Sequence, residues 1–305
     1  MTSMLVALVL CGAGEAPAAG TLEAALDGTV VRITVDGALF TCYKFAPEQK
    51  YPYFWPVNGP RSGASVTTET SEPYPHHRSL FFGCDRVNGG NYWQEGNERG
   101  RIVSGTPKIL TARGPRVEFE DRCRWRRPGA PEPLSDVRRI ACSAPSRDVR
   151  IIDVEITLTA EEDVRIAQTN HSLFSARVVP ALAVPKGGRL VNAEGALGEK
   201  ATFGAASAWC DFSGDNGGKV EGLAILDWPR NPWSPCKWFT RDYGFFSPTP
   251  LNWVGEAGFK LAKGSTLALK YRVVVHAGNE KDADIAGIYR EWARQAGAPP
   301  APRGE

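Results

Sequence analysis

Asp153-Val154-Glu155-Ile156-Thr157-Leu158-Thr159 alternates polar and apolar residues at every step. Side chains of an extended chain point to opposite faces in turn, so a period of two predicts a strand. Val154, Ile156 and Leu158 then meet a core, and the other face meets water or a ligand. Residues 265–276 repeat the pattern, with Leu267, Leu269, Tyr271 and Val273 on one face and Ala268, Lys270, Arg272 and Val274 on the other. Residues 30–36 and 38–45 are β-rich runs around Asp36-Gly37, a dipeptide that accepts the positive φ of a tight hairpin turn. Shorter strand-like runs fall at residues 80–82, 108–111, 117–120, 122–125, 137–142, 164–168, 173–179, 206–212 and 222–228. One helix is expected, over residues 281–295, where Ile285, Ile288, Tyr289 and Trp292 recur at i, i+3, i+4, i+7 and form an apolar stripe. Many strands with no β-helix-β alternation predict an all-β chain, a large antiparallel β-sandwich with one C-terminal helix.

The 305 residues are enough for a sizeable core, and residues 20–296 read as a single β-sandwich domain. Residues 4–10 form a short apolar run, and Ala16-Pro17-Ala18 offers a small-x-small cleavage pattern, so residues 1–19 read as a signal peptide. A secreted or periplasmic location follows. The tail at residues 297–305 lacks apolar periodicity and is expected to be disordered. No later stretch approaches the roughly 18 apolar residues of a membrane helix, so no membrane span is expected. Lys plus Arg number 36 against 34 acidic residues, a net charge of +2, which provides no long-range field to gather nucleic acid. Of the seven cysteines, Cys42, Cys84, Cys123, Cys142, Cys210 and Cys236 follow the leader. Six cysteines suit either disulfides in an oxidising compartment or buried thiols. Cys123 with Cys142 is the favoured pair, on successive strands joined by a Pro-rich connection.

Pro73-Tyr74-Pro75-His76-His77-Arg78 places two adjacent histidines on a segment whose prolines favour an extended chain. On an extended chain His76 and His77 face opposite ways and do different jobs. Close behind, Asp85, Arg86, Asn88, Asn91, Trp93 and Glu95 lie in a Gly-rich stretch. Polar groups interleaved with aromatics suit a sugar, whose hydroxyls need paired donors and acceptors and whose C–H faces stack on rings. Residues 227–246 form a second dense segment with three tryptophans, expected to fold over a core or a pocket, with Arg241 and Tyr243 placed to face a ligand. His171 stands alone in Thr169-Asn170-His171-Ser172, with Arg177 six residues on; His276 reads as structural. The candidate acids and bases are therefore Asp85, Glu95, His76, His77 and His171, with Asp211 and Asp227 in reserve. Arg78, Arg177 and Arg241 are candidates to bind an anionic or oxygen-rich group, alongside Asn88, Asn91, Trp93 and Tyr243.

Several of these motifs recur together. Tyr51-Pro52-Tyr53, Asn58-Gly59-Pro60, Pro75-His76-His77-Arg78, Asn88-Gly89 with Trp93 and Glu95, His171-Ser172-Leu173-Phe174 with Arg177, and the segment from Trp238 to Phe246 occur in that order. With them, residues 25–275 resemble the bacterial family catalogued as PmoA, or "methane oxygenase PmoA". That resemblance implies a secreted protein of a polysaccharide-degrading bacterium and a mutarotase-like β-sandwich (supersandwich). Members carry a histidine where this chain has Trp228, so any role of that histidine does not carry over. The oxygenase label itself fits poorly, since a membrane monooxygenase subunit needs several spans.

The leading expectation is a secreted carbohydrate-active enzyme, a glycoside hydrolase or lyase, that cleaves a glycosidic bond in a polysaccharide or oligosaccharide. In it Glu95 or Asp85 pairs with one of His76, His77 and His171 as acid and base. The alternatives are a non-catalytic carbohydrate-binding module and a metal-dependent oxidoreductase in which His76, His77, His171 and Glu95 converge on one ion. No cofactor is expected, with a divalent metal left open.

Overall fold

The computed structural model describes residues 19–94 and 96–297. The apolar leader lies outside them, as do Glu95 and the tail beyond Gly297. The alternating stretch is the second half of the strand Val149–Ala160. Val154, Ile156 and Leu158 are buried there and Glu155 and Thr157 exposed. Each of those three apolar side chains contributes on the order of 1.5–3 kcal/mol by leaving water. Thr266–Ala277 runs antiparallel to this strand along its whole length and sends Leu267, Leu269, Tyr271 and Val273 into the same core.

Around this pair a sheet is built in the order Arg189–Asn192, Trp209–Asp215, Val220–Asp227, Thr266–Ala277, Val149–Ala160, Leu134–Ser146, Arg116–Arg126 and Arg101–Ser104. A second sheet runs Trp238–Arg241, Phe245–Pro248, Ser172–Arg177, Leu80–Val87, Tyr53–Val57, Ala38–Lys44, Val30–Val35, Leu22–Asp27 and Arg113–Gly114. The pairings within both are antiparallel, and one apolar core joins residues of the two sheets. The all-β sandwich expected from the alternation is the observed fold. The expected hairpin forms as Val30–Val35 and Ala38–Lys44, turning through Asp36 (φ 49°) and Gly37 (φ 80°), the positive pair that a two-residue turn needs. Ahead of it lies a strand the sequence reading missed, Leu22–Asp27.

The other face of the first sheet is covered by the helix Ile285–Arg294, whose Ile285 and Trp292 are buried against Val149, Ile151, Leu226 and Val274. The helix starts four residues later than the stripe suggests. Asp284 accepts a hydrogen bond from Gly287 N, capping the helix there, while residues 281–284 are turn. Among the described residues no helix is long and apolar enough to cross a membrane.

The expected disulfide is absent. Cys42, Cys84, Cys123, Cys142, Cys210 and Cys236 are all free thiols. In the ladder between Arg116–Arg126 and Leu134–Ser146, Cys142 pairs with Val117 and Cys123 with Asp136. Their positions are thus six residues apart along the strands, roughly 20 Å, far beyond bridging distance.

Candidate active site

Two strands that are distant in sequence build the site. Ser172–Arg177 pairs with Leu80–Val87 in a register that sets Ser172 against Cys84, and Asp85 N donates to the His171 carbonyl. That register brings the Asp85 carboxylate to the His171 ring, with Oδ2 2.9 Å from Nδ1. The other carboxylate oxygen accepts from the Thr169 hydroxyl, which in turn accepts from His171 N. Asp85 is buried and His171 partly exposed at the edge of a cleft of about 190 Å³. With Nδ1 engaged by the carboxylate, Nε2 is the nitrogen available to a ligand, and Asp85 fixes the tautomer and orientation of the ring.

The histidine pair enters the same cleft. Expected on opposite faces of an extended segment, His76 and His77 instead lie with ring centroids 4.6 Å apart and both line the cleft. The chain turns at residues 75–76, closed by His77 N donating to the Tyr74 carbonyl, so the period of two does not apply. Tyr51 holds this turn from below, its hydroxyl donating to the His76 carbonyl. His77 is sandwiched between Phe245 (centroids 4.2 Å) and Tyr74 (5.0 Å). Burial, with His76, Arg177 and His171 grouped around it, pushes its pKa down to about 2. It is therefore a neutral imidazole at any working pH, able to hydrogen-bond a ligand but not to accept a proton from it.

This depression has a consequence for stability. The unfolded chain protonates His77 near pH 6.5 and the folded chain does not until about pH 2. Between these values the unfolded state holds more protons, so stability is full above pH 6.5 and is lost as pH falls, by up to about 1.4 kcal/mol per pH unit from this group. Denaturant unfolding at pH 7, 6, 5 and 4 is expected to show His77→Phe with a shallower acid slope than the wild type, by close to one proton. Equal slopes would refute the assignment.

The remaining wall comes from the hairpin of Trp238–Arg241 and Phe245–Pro248, which supplies Phe239, Arg241, Tyr243 and Phe245. Arg241 lies over the rings of Phe239 (4.4 Å) and Phe203 (4.8 Å) and is ion-paired with Glu199. Tyr243 stacks on Tyr74 at 5.3 Å and covers Arg177, whose guanidinium is 4.4 Å from its ring centre. Arg177 is buried behind this wall, with Nε and Nη1 lacking partners, and does not line the cleft.

Other candidates serve elsewhere. Trp93, expected to stack on a ligand, is fully buried, packed on Phe81 at 4.8 Å and backing the His171 ring at 5.7 Å. Arg78 turns to the Tyr53 ring, 5.8 Å away, and not to the cleft. Asn91 shapes the loop by accepting from Trp93 N and Gln94 N, and Asn88 ties its turn to Glu162 and Arg165. Asp211 is locked in a buried pair with His276 (2.7 Å), consistent with a structural His276. Asp227 is buried against Asn231 and Cys236 N. Glu95 lies outside the described residues. The sequence reading missed Tyr74, Gln94, Asn170, Phe239 and Phe245 as lining residues, though all sit inside or beside segments it singled out. Among the described residues no group of three or more His, Cys, Asp or Glu is arranged to hold a metal ion.

Fold and site together define a two-sheet antiparallel sandwich with a His–Asp pair set at the edge of an aromatic cleft. The chain belongs to the family of unknown function DUF6807, whose model matches residues 30–290. That match overturns the resemblance to the PmoA family, and roles implied by that resemblance alone are withdrawn. No curated protein sequence matches the chain. Solved structures similar to it include a putative aldose 1-epimerase from Escherichia coli K12, at 11% identity over 85% of this chain and 100% of that one, with a TM-score of 0.34. Galactose 1-epimerase from Lactobacillus acidophilus NCFM matches at 9% identity over 86% of this chain and 100% of that one, with a TM-score of 0.40. A polysaccharide lyase matches at 12% identity over 86% of this chain but 33% of its own, with a TM-score of 0.30. No residue role passes from these structures to this chain.

Proposed function

We propose that this protein is an exported carbohydrate-active enzyme in which His171, oriented by Asp85, moves a proton at a sugar bound in the cleft, with cleavage of a glycosidic bond as the outcome. The observation that carries this is the 2.9 Å contact between Asp85 and His171 at the cleft edge. A carboxylate behind an imidazole holds the ring in one tautomer and orientation and steadies the imidazolium that forms. The surrounding walls support a sugar as the ligand: Tyr74, Tyr243, Phe239 and Phe245 give the cleft apolar sides, their faces being taken up by one another, His77, Arg177 and Arg241, while Gln94, Asn170 and the neutral His77 offer hydrogen bonds to hydroxyls. Among the described residues that line the cleft, His171 is the imidazole that a carboxylate orients. Export is supported by the apolar leader and its small-x-small pattern.

The test is a screen of the purified protein against polysaccharides and oligosaccharides, with and without chelator, reading released products by mass. Product that survives chelation is expected. Binding without product would instead favour a binding module, and loss of product on chelation would favour a metal-dependent reaction.

A further inference from the structure

His171 is shared by two cavities. Beside the cleft lies a groove of about 500 Å³ that has Gln94 and His171 in common with it, so the two cavities adjoin at the imidazole. The cleft, at about 190 Å³, is below the roughly 300 Å³ at which pockets begin to enclose larger ligands, whereas the groove is within that range. A ligand held at His171 therefore has room for one small ring in the cleft and further units in the groove.

The groove is basic. Arg86, Arg99 and Arg165 line it, and none of them has a carboxylate partner among the described residues. Two are fixed by backbone carbonyls: Arg86 donates to Gln168 O at 2.8 Å, and Arg165 to Glu256 O at 2.7 Å and Ala257 O at 3.3 Å. These bonds hold the guanidinium groups in place without cancelling their charge. Arg86 also takes a positive φ of 55°, at a break in the pairing between Asp85 and Val87. A non-glycine residue is rarely held there, and such a bulge re-aims the side chain. The acid lining the groove is Asp85, whose two oxygens are engaged by Thr169 and His171; its single charge set against the three arginines leaves an excess of two positive charges. A second groove of about 580 Å³, with Arg101, Arg126 and Arg127, lacks this excess, because it also holds Glu98 and an Arg126–Glu132 pair at 2.7 Å.

We infer that the ligand is an acidic saccharide of at least two units, bound across His171, with a carboxylate- or sulfate-bearing unit held in the groove by Arg86, Arg99 and Arg165. Guanidinium groups match the planar or trigonal oxygens of these anions, and a neutral sugar gives them no counter-charge. This rests on the sugar reading of the cleft given above.

The test titrates the purified protein with uronic acid oligosaccharides, their carboxyl-reduced neutral counterparts and sulfated oligosaccharides of equal length, and follows both binding and product release. At least one acidic series is expected to bind tenfold or more tightly than its neutral counterpart, and to weaken as salt rises. The Arg86→Gln, Arg99→Gln double variant, checked for an unchanged thermal midpoint, is expected to lose that preference. Whether the uronate or the sulfated series is preferred identifies the anion. Neutral oligosaccharides bound and turned over as well as acidic ones would overturn the inference and leave the reading of His171 standing. So would a variant that keeps the preference. Acidic oligosaccharides bound through the arginines but never turned over would sink the enzymatic reading and leave the groove assignment. No binding and no product with any series would overturn both.

Discussion

His171→Ala is expected to lower kcat by about 10²–10⁴-fold with little change in KM, on whichever saccharide the wild type turns over. The imidazole is the described proton-transferring group at the cleft that a carboxylate orients, through the 2.9 Å contact of Asp85 with Nδ1. Asp85→Asn tests the positioning role separately. The amide keeps the shape but offers Nδ1 a donor as well as an acceptor, so the ring loses its fixed tautomer and the stabilising charge behind it. Its kcat is expected to fall within the same range, with an altered pH profile and again with little change in KM. A folded His171→Ala protein retaining a third or more of wild-type turnover would remove His171 from the chemistry. A loss confined to KM would make it a binding group.

The second large effect concerns the core. Asp136 is buried and accepts from Arg138 Nε at 2.8 Å and from Trp125 Nε1 at 2.8 Å. Arg138 is equally enclosed, its guanidinium 5.6 Å from the Phe82 ring centre. Asp136→Ala removes the carboxylate paired with that cation, leaving the buried Asp121, opposite Arg138 in the ladder but already bonded to Tyr43 and Ser104, as the nearest remaining charge, along with an indole N–H that has lost its acceptor. The expected cost is about 3–5 kcal/mol, measured by denaturant unfolding. Replacing both residues, Asp136→Leu with Arg138→Leu, is expected to recover much of the loss, because the desolvated charge is then gone. A double variant no more stable than the single one would mean that packing, and not the stranded charge, sets the cost.

Parts of the molecule were legible in the sequence because their signals are local. Alternation through residues 153–159 reports burial of one strand face and needs no knowledge of the partner strand. Asp36-Gly37 specifies its own turn, and the stripe of Ile285 and Trp292 specifies which side of its helix is covered. The histidine pair shows where this stops. The two prolines suggested an extended chain, but one hydrogen bond from His77 N to Tyr74 O folds the segment into a turn and sends both rings to one cleft. Trp93 reads as a stacking surface because aromatic character is visible in sequence, whereas its burial in the loop is not. The cysteine pairing failed for want of register: adjacent strands do not make adjacent residues.

By itself, then, the sequence determined an all-β sandwich with a terminal helix and the short list of polar and aromatic segments from which a site is assembled. The tertiary structure decided which members of that list meet. Asp85 and His171 are 86 residues apart, and they touch because Ser172 pairs with Cys84. A shift of one residue in that pairing would turn the carboxylate to the opposite face of the sheet. The physical reason is that a strand's face pattern is encoded within the strand, whereas its register depends on the packing of the whole core.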